Sequence, residues 1–221
     1  MDIKKLSLIH QIRSSSLQSP PMLLLLHGYG ANEHDLHALA PSIDPRFLVV
    51  SPRAPLPVMA GAYGWFNIAW TSQGAQIERT RVVAARAGVV QFVEEAIAAY
   101  GADSTQVYLA GFSQGAIMSA AALLLRPRLF AGALLMSGSA NNELVPSDVD
   151  HAALAGKPVL ITHGLYDQVL PIDNGRRSRE TFAQLPVDLV YREYPMGHEI
   201  NAKSLEDVTS WLRERLAVRP S

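Results

Sequence analysis

Residues 107–125 read VYLAGFSQGAIMSAAALLL, and no other stretch of the chain constrains its architecture so strongly. An apolar run, Val107–Ala110, enters Gly111-Phe112-Ser113-Gln114-Gly115, and a segment of small and apolar residues, Ala116–Leu125, leaves it. Gly-x-Ser-x-Gly between a strand and a helix is the setting in which a serine is presented on a sharp, strained turn. Such a turn crowds both flanks, and Gly111 and Gly115 supply the small residues it needs. It lifts the hydroxyl beyond the end of the sheet and sets the Gln114 N–H at a helix start, aimed where an oxyanion would develop. The plainer reading of the same letters is an incidental glycine-rich turn around an ordinary serine. Only the rest of the chain separates the two.

On both sides of this stretch, short apolar runs alternate with longer segments of helical period. Strands are expected at Met22–His27, Phe47–Ser51, Gln106–Gly111, Gly132–Ser137, Pro158–His163 and Leu189–Tyr194. Several are apolar at both alternating positions, as in a parallel sheet covered on both faces. Val82, Val89, Val93 and Ile97 share a helical face within Glu78–Tyr100, as do Leu205, Val208, Leu212 and Leu216 near the end. Alternation on this scale predicts a doubly wound α/β fold, in one domain spanning residues 1–221. The long connection from Pro52 to Ile77, with Trp65, Phe66 and Trp70, reads as a functional loop.

A serine hydroxyl is a weak nucleophile near neutrality and needs a base that a third group orients. For a serine on a strand–turn–helix elbow the chain order is serine, acid, histidine. Only His151, His163 and His198 follow Ser113. His198, in Tyr194-Pro195-Met196-Gly197-His198-Glu199, falls between the last strand and the last helix, where catalytic groups of such sheets converge. His163 ends a strand and is expected to be tied into the sheet, and His151 lies in a polar loop. Asp167, just past a strand end, is the expected acid. Asp173 reads instead as a helix cap, and Glu199 lies too close to His198 in sequence to orient its ring. The second oxyanion donor is expected after the first apolar strand, in His27-Gly28-Tyr29-Gly30, from the Tyr29 N–H. His34 and His37 have helical spacing but lack a third ligand, so solvent-facing residues are expected rather than a metal site.

Composition narrows the classes. The chain has 221 residues, 19 Lys and Arg against 20 Asp and Glu, and a net charge of −1, which leaves no electrostatic case for nucleic acid. It has no cysteine, which excludes thiol catalysis and disulfides. Met1–Ser16 does not read as a signal peptide, and Met22–Leu26 is too short to cross a bilayer, so a cytoplasmic protein without stable membrane insertion is expected. A sheet edge or apolar helix face leaves room for a homodimer.

Taken together, Leu26-His27-Gly28-Tyr29-Gly30, Trp65-Phe66, Gly111-Phe112-Ser113-Gln114-Gly115, His163-Gly164-Leu165-Tyr166-Asp167-Gln168-Val169-Leu170-Pro171 and Gly197-His198-Glu199 resemble the phospholipase/carboxylesterase family, which includes bacterial carboxylesterases and acyl-protein thioesterases. The resemblance implies an α/β-hydrolase fold, with a mostly parallel central sheet, helices on both faces and no large lid. It implies a triad of Ser113, Asp167 and His198 and an oxyanion hole from the Tyr29 and Gln114 amides. Ala116 and Asn67 depart from the family pattern, which has glycine and an acid there in many members. Trp65, Phe66 and Val169 are expected to wall an apolar substrate pocket, with core packing the competing role for Phe66 and Val169. The expected reaction is hydrolysis of short to medium acyl esters through an acyl-enzyme, without metal or cofactor. A thioesterase or lysophospholipase with the same triad is the alternative within enzymes. A catalytically silent scaffold that binds a ligand is the alternative outside them.

Overall fold

The computed structural model describes residues 2–71, 74–76 and 79–217. In chain order the strands are β1 (His10–Arg13), β2 (Met22–Leu26), β3 (Leu48–Pro52), β4 (Leu56–Met59), β5 (Ala62–Gly64), β6 (Ala69–Thr71), β7 (Gly74–Gln76), β8 (Val107–Phe112), β9 (Gly132–Met136), β10 (Pro158–Gly164) and β11 (Asp188–Tyr194). The α-helices are α1 (Arg79–Tyr100), α2 (Gln114–Leu125), α3 (His151–Leu154), α4 (Ile172–Ala183) and α5 (Ala202–Ala217). Seven strands form one sheet in the order β1-β3-β2-β8-β9-β10-β11. All neighbours run parallel except β1, which pairs antiparallel with β3. All six expected strands are present, with small shifts at their ends.

Strand pleating distributes the apolar runs to two faces. Met22, Leu24 and Leu26 of β2 join the core beneath α1 and α2, while Leu23 and Leu25 point to the opposite face. There they meet Leu36 and Ala40 of a 3₁₀ helix and Val208, Trp211 and Leu212 of α5. The same division separates Leu109 from Tyr108 and Ala110 in β8. Every residue from Gln114 to Leu124 is buried, because α2 lies between the sheet and α1. That explains its small side chains. Full burial of Ile117, Leu123 and Leu124 contributes roughly 1.5–3 kcal/mol each.

Four expectations are corrected. His151, expected in a polar loop, opens α3. Pro52–Ile77 is not loop throughout: it folds into two antiparallel hairpins, β4–β5 and β6–β7, the first with an irregular register between Pro57 and Met59. Prolines in short two-stranded ribbons are tolerated because the outer N–H positions pair with nothing. Ile77, Glu78 and the Trp70 side chain fall outside the described residues. His34 and His37 do not share an exposed helix: His34 is in a turn, and half-buried His37 bonds the Ser51 hydroxyl at 2.9 Å. Asp173 does not cap α4, whose preceding residue is Pro171, but sits in its first turn.

The elbow ties this architecture to the site. A Cβ placed on Gly115 would stand 1.8 Å from the Leu26 carbonyl oxygen, and one on Gly111 would stand 2.1 Å from the Gly115 oxygen. These are backbone clashes that no side-chain rotation relieves. Gly115→Ala is therefore expected to destabilise the fold by about 3 kcal/mol or more. Gly88→Ala, at a helical position with open space around it, should be neutral or mildly stabilising. Paired denaturant unfolding curves check both.

Candidate active site

Ser113 joins β8 to α2 with φ 55° and ψ −116°, a conformation that costs a non-glycine residue roughly 1–3 kcal/mol. Packing holds it there. The Ser113 N–H donates to Met136 O on β9 at 2.9 Å, and the Ser113 carbonyl accepts from Ala116 and Ile117 N–H at 3.0 and 3.3 Å. The Gln114 amide lies in the first turn of α2, where N–H groups have no intrahelical acceptor.

The turn after β2 lies against this elbow. A Cβ built on Gly28 would be 3.5 Å from the Ser113 Cβ. Neighbouring amides are committed, Gly30 N–H to Tyr63 O at 2.9 Å and Ala31 N–H to Gly28 O at 3.3 Å. Among the described residues the Tyr29 N–H donates to no protein acceptor. His27 stiffens the turn from below: its Nδ1 donates to Gly28 O at 2.7 Å, and its bare Nε2 accepts from Ala54 N–H at 3.0 Å. Burial pushes His27 below its ordinary pKa, consistent with an imidazole that carries a single ring proton.

The side chain of Gln114 does something the sequence did not announce. It is buried, and its Oε1 accepts from Trp65 N–H at 2.7 Å while its Nε2 donates to Phe66 O at 2.7 Å. This two-point clasp fixes the Trp65–Phe66 backbone to the elbow, and Trp65 Nε1–H bonds His27 O at 2.9 Å. Trp65 and Phe66 are themselves buried, and they border a recess of about 380 Å³ together with Pro55, Leu56, Asn67, Arg81, Ala84 and Ala85. Val169 lies elsewhere, exposed with Leu165 and Tyr166 on the turn around Asp167. The three residues expected to wall one pocket therefore occupy two places.

Asp167 and His198 are brought together directly. His198 Nδ1 donates to Asp167 Oδ2 at 2.7 Å, which leaves Nε2 as the nitrogen available for a proton. The other carboxylate oxygen, Oδ1, accepts from Val169 and Leu170 N–H at 2.9 and 2.8 Å. Asp167 is buried, and a buried carboxylate needs such partners. The turns that carry the two residues are locked to each other: Leu165 N–H bonds Tyr194 O at 2.8 Å and Tyr166 N–H bonds Met196 O at 3.0 Å. A Cβ on Gly164 would stand 2.3 Å from Gly197 O, so glycine alone permits that approach. The His198 ring packs on Phe112, with ring centroids 4.8 Å apart, immediately beside Ser113. Among the described residues no hydrogen bond joins the Ser113 hydroxyl to His198. In unliganded enzymes such bonds are often long and tighten only around a substrate.

Two further groups were not picked out from the sequence. His163 is tied into the sheet as expected, paired with Glu193 of β11, and its ring in addition faces the Asp167 turn; a histidine four residues before an acid at a strand end was the available signal. Glu33 is a buried carboxylate held in a fork by Arg53, through Nε and Nη2. Nothing in their spacing marked them as partners. Arg53 also lies over the Tyr63 ring, 4.6 Å from its centroid, and thereby connects β3 to the hairpin that holds the Gly30 turn. Among the described residues no cluster of three metal-ligating side chains occurs, and no helix is long and apolar enough to cross a membrane.

Comparison with known proteins agrees with this architecture. The model of the phospholipase/carboxylesterase family matches residues 8–216. A probable carboxylesterase, SOBER1-like, from Arabidopsis thaliana is 27% identical, with 93% of this chain and 82% of that protein covered. Acyl-protein thioesterase 1 of Kluyveromyces lactis is 26% identical, over 94% of this chain and 98% of its own. The solved Bacillus cereus carboxylesterase superposes with a TM-score of 0.82 at 23% identity, over 95% of each chain, a likeness of fold.

The Arg53 hydrogen bonds hold the Glu33 carboxyl below its ordinary 4.5. A depressed carboxylate stabilises the fold fully above its unfolded pKa and loses that contribution as pH falls through the depressed value. Glu33→Gln should cost about 2 kcal/mol at pH 7, less than for a fully buried pair because Arg53 is partly solvated. The gap to wild type should narrow once the pH drops below about 4. Urea unfolding at pH 7 and pH 3.5 checks both the size and the direction.

Proposed function

The chain belongs to the phospholipase/carboxylesterase family and is an ester hydrolase; from that premise we propose that it is a carboxylesterase of short to medium acyl esters, acting through Ser113, His198 and Asp167. The observation that carries the reading is the Asp167–His198 hydrogen bond of 2.7 Å at the mouth of the Ser113 elbow. With Nδ1 committed to the carboxylate, His198 Nε2 takes the Ser113 proton as Oγ attacks the substrate carbonyl carbon. The new Oγ–C bond leaves an oxyanion facing the Tyr29 and Gln114 N–H groups. Asp167 stabilises the imidazolium that results. When the tetrahedral species collapses, the C–O bond to the alcohol breaks and His198 returns the proton to the departing oxygen. Water, deprotonated by the same nitrogen, then attacks the acyl-enzyme; the acid leaves and Ser113 recovers its proton.

An uncharged acyl group of limited length fits the surroundings. Leu165, Tyr166 and Val169 expose apolar surface around the Asp167 turn. One α/β-hydrolase domain carries the whole reaction in this reading. The similarity to an acyl-protein thioesterase supports a second reading, in which a thioester is the preferred substrate of the same three residues.

Ser113→Ala should reduce kcat on an aryl ester by something on the order of 10⁶-fold, as deletion of a triad nucleophile does. Retention of most of the activity would refute the assignment. Between the readings, an oxygen ester and a thioester matched in acyl chain should differ in kcat/KM in favour of the oxygen ester. Preference for the thioester by tenfold or more would select the second.

A further inference from the structure

We propose that His163 is a positioning residue, holding the Asp167 turn in the geometry that presents the carboxylate to His198; the proposal rests on the reading of Ser113, His198 and Asp167 as the reacting set. His163 is fully buried at the end of β10, with no solvent access to its side chain. Its Nε2 stands 2.7 Å from Leu170 O, and a carbonyl only accepts, so Nε2 carries the ring proton. The same nitrogen lies 3.5 Å from Asp167 Oδ2, so the positive end of the N–H dipole stands beside the carboxylate.

These bonds close a ring around one turn. Leu170 donates its N–H to Asp167 Oδ1 at 2.8 Å and accepts from His163 at its carbonyl. The residue that supplies an amide to the carboxylate is thus held from its other side by His163. A free turn would let the carboxylate rotate away from His198, and a misplacement of about 1 Å in such a site costs on the order of 10²-fold in rate.

Two features set this arrangement apart from ordinary packing. First, His163 Nδ1 is buried without a hydrogen-bond partner, a loss of roughly 1–3 kcal/mol that an apolar side chain would avoid. Second, α4 approaches the ring so closely that a Cβ on Gly175 would stand 2.6 Å from its Cγ and 2.7 Å from its Nδ1. A glycine inside a helix is itself unfavourable by about 1 kcal/mol relative to alanine. The fold accepts both costs and in return seats an imidazole, donor outward, against the Asp167 turn. Glu193, the register partner of His163 on β11, is engaged by Arg176 of α4 at 2.9 Å.

The test compares His163→Leu, which removes the donor, with His163→Gln, whose amide can donate from nearly the same place. His163→Leu should lower kcat about 10- to 100-fold with KM changed less than about twofold. It should also shift or broaden the low-field proton resonance of the His198–Asp167 hydrogen bond. His163→Gln should recover most of kcat and the resonance. Wild-type kcat in His163→Leu overturns the proposal. So does equal impairment of both variants with a lower Tm and an unmoved resonance, which is the mark of packing alone. Should His163→Leu not fold, Gly175→Ala removes no polar group but displaces the ring and its donor from the Asp167 turn; it should lower kcat and move the resonance, and normal values for both overturn the proposal. Ser113→Ala run in parallel separates the two levels. If it retains activity, the reacting set itself is wrong. If it is inactive while His163→Leu turns over normally, only the role of His163 fails.

Discussion

The end of β2 and the start of α2 meet backbone to backbone at Gly115 and Leu26, closer than any side chain would allow. This contact fixes where the helix can begin, and hence where the chain must turn after Phe112. The turn forces Ser113 into a positive φ, and the surrounding strands absorb that strain through the bond from its N–H to Met136 O. The strain is affordable because α2 is buried along nearly its whole length, so the packing energy of many small apolar side chains opposes relaxation of one residue. Everything else at the site is arranged relative to that fixed point.

Around it, three segments converge by means of a few polar bonds. Gln114 fastens the Trp65–Phe66 segment to the elbow through both of its amide atoms. The Glu33–Arg53 fork and the Tyr63 ring hold the turn after β2 to the hairpin beyond β3. Gly164 lets the turns bearing Asp167 and His198 touch, so that their hydrogen bond forms between short turns just past the ends of β10 and β11. Sites carried so near strand ends are held more closely than sites on long loops. The proposed oxyanion turn, the proposed nucleophile and the proposed acid–base pair therefore belong to one connected framework.

Much of the fold was legible from the residues. The strands that form the centre of the sheet are buried on both faces, so they appear as unbroken apolar runs such as Met22–Leu26. β1 was not legible because His-Gln-Ile-Arg at a sheet edge has neither a run nor an alternation. The hairpins between Pro52 and Ile77 were hidden by prolines and glycines, which usually mark loops. Within the site, Asp167 and His198 could be selected by chain order and strand-end position. His163 was set aside as a sheet residue because strand assignment says which residue lies in the sheet, not what its ring meets. The Glu33–Arg53 pair and the Gln114 clasp are long-range side-chain contacts, which no local pattern encodes.

The central claim is spatial: one hydroxyl, one imidazole and two amides address the same carbonyl. A crystal structure of the protein after reaction with an alkyl phosphonate ester tests it most directly. The account predicts phosphorus bonded to Ser113 Oγ, with the phosphoryl oxygen about 3 Å from the Tyr29 and Gln114 nitrogens and His198 Nε2 beside the oxygen that phosphorus now carries. An adduct on another residue, or a phosphoryl oxygen turned away from both amides, would contradict it.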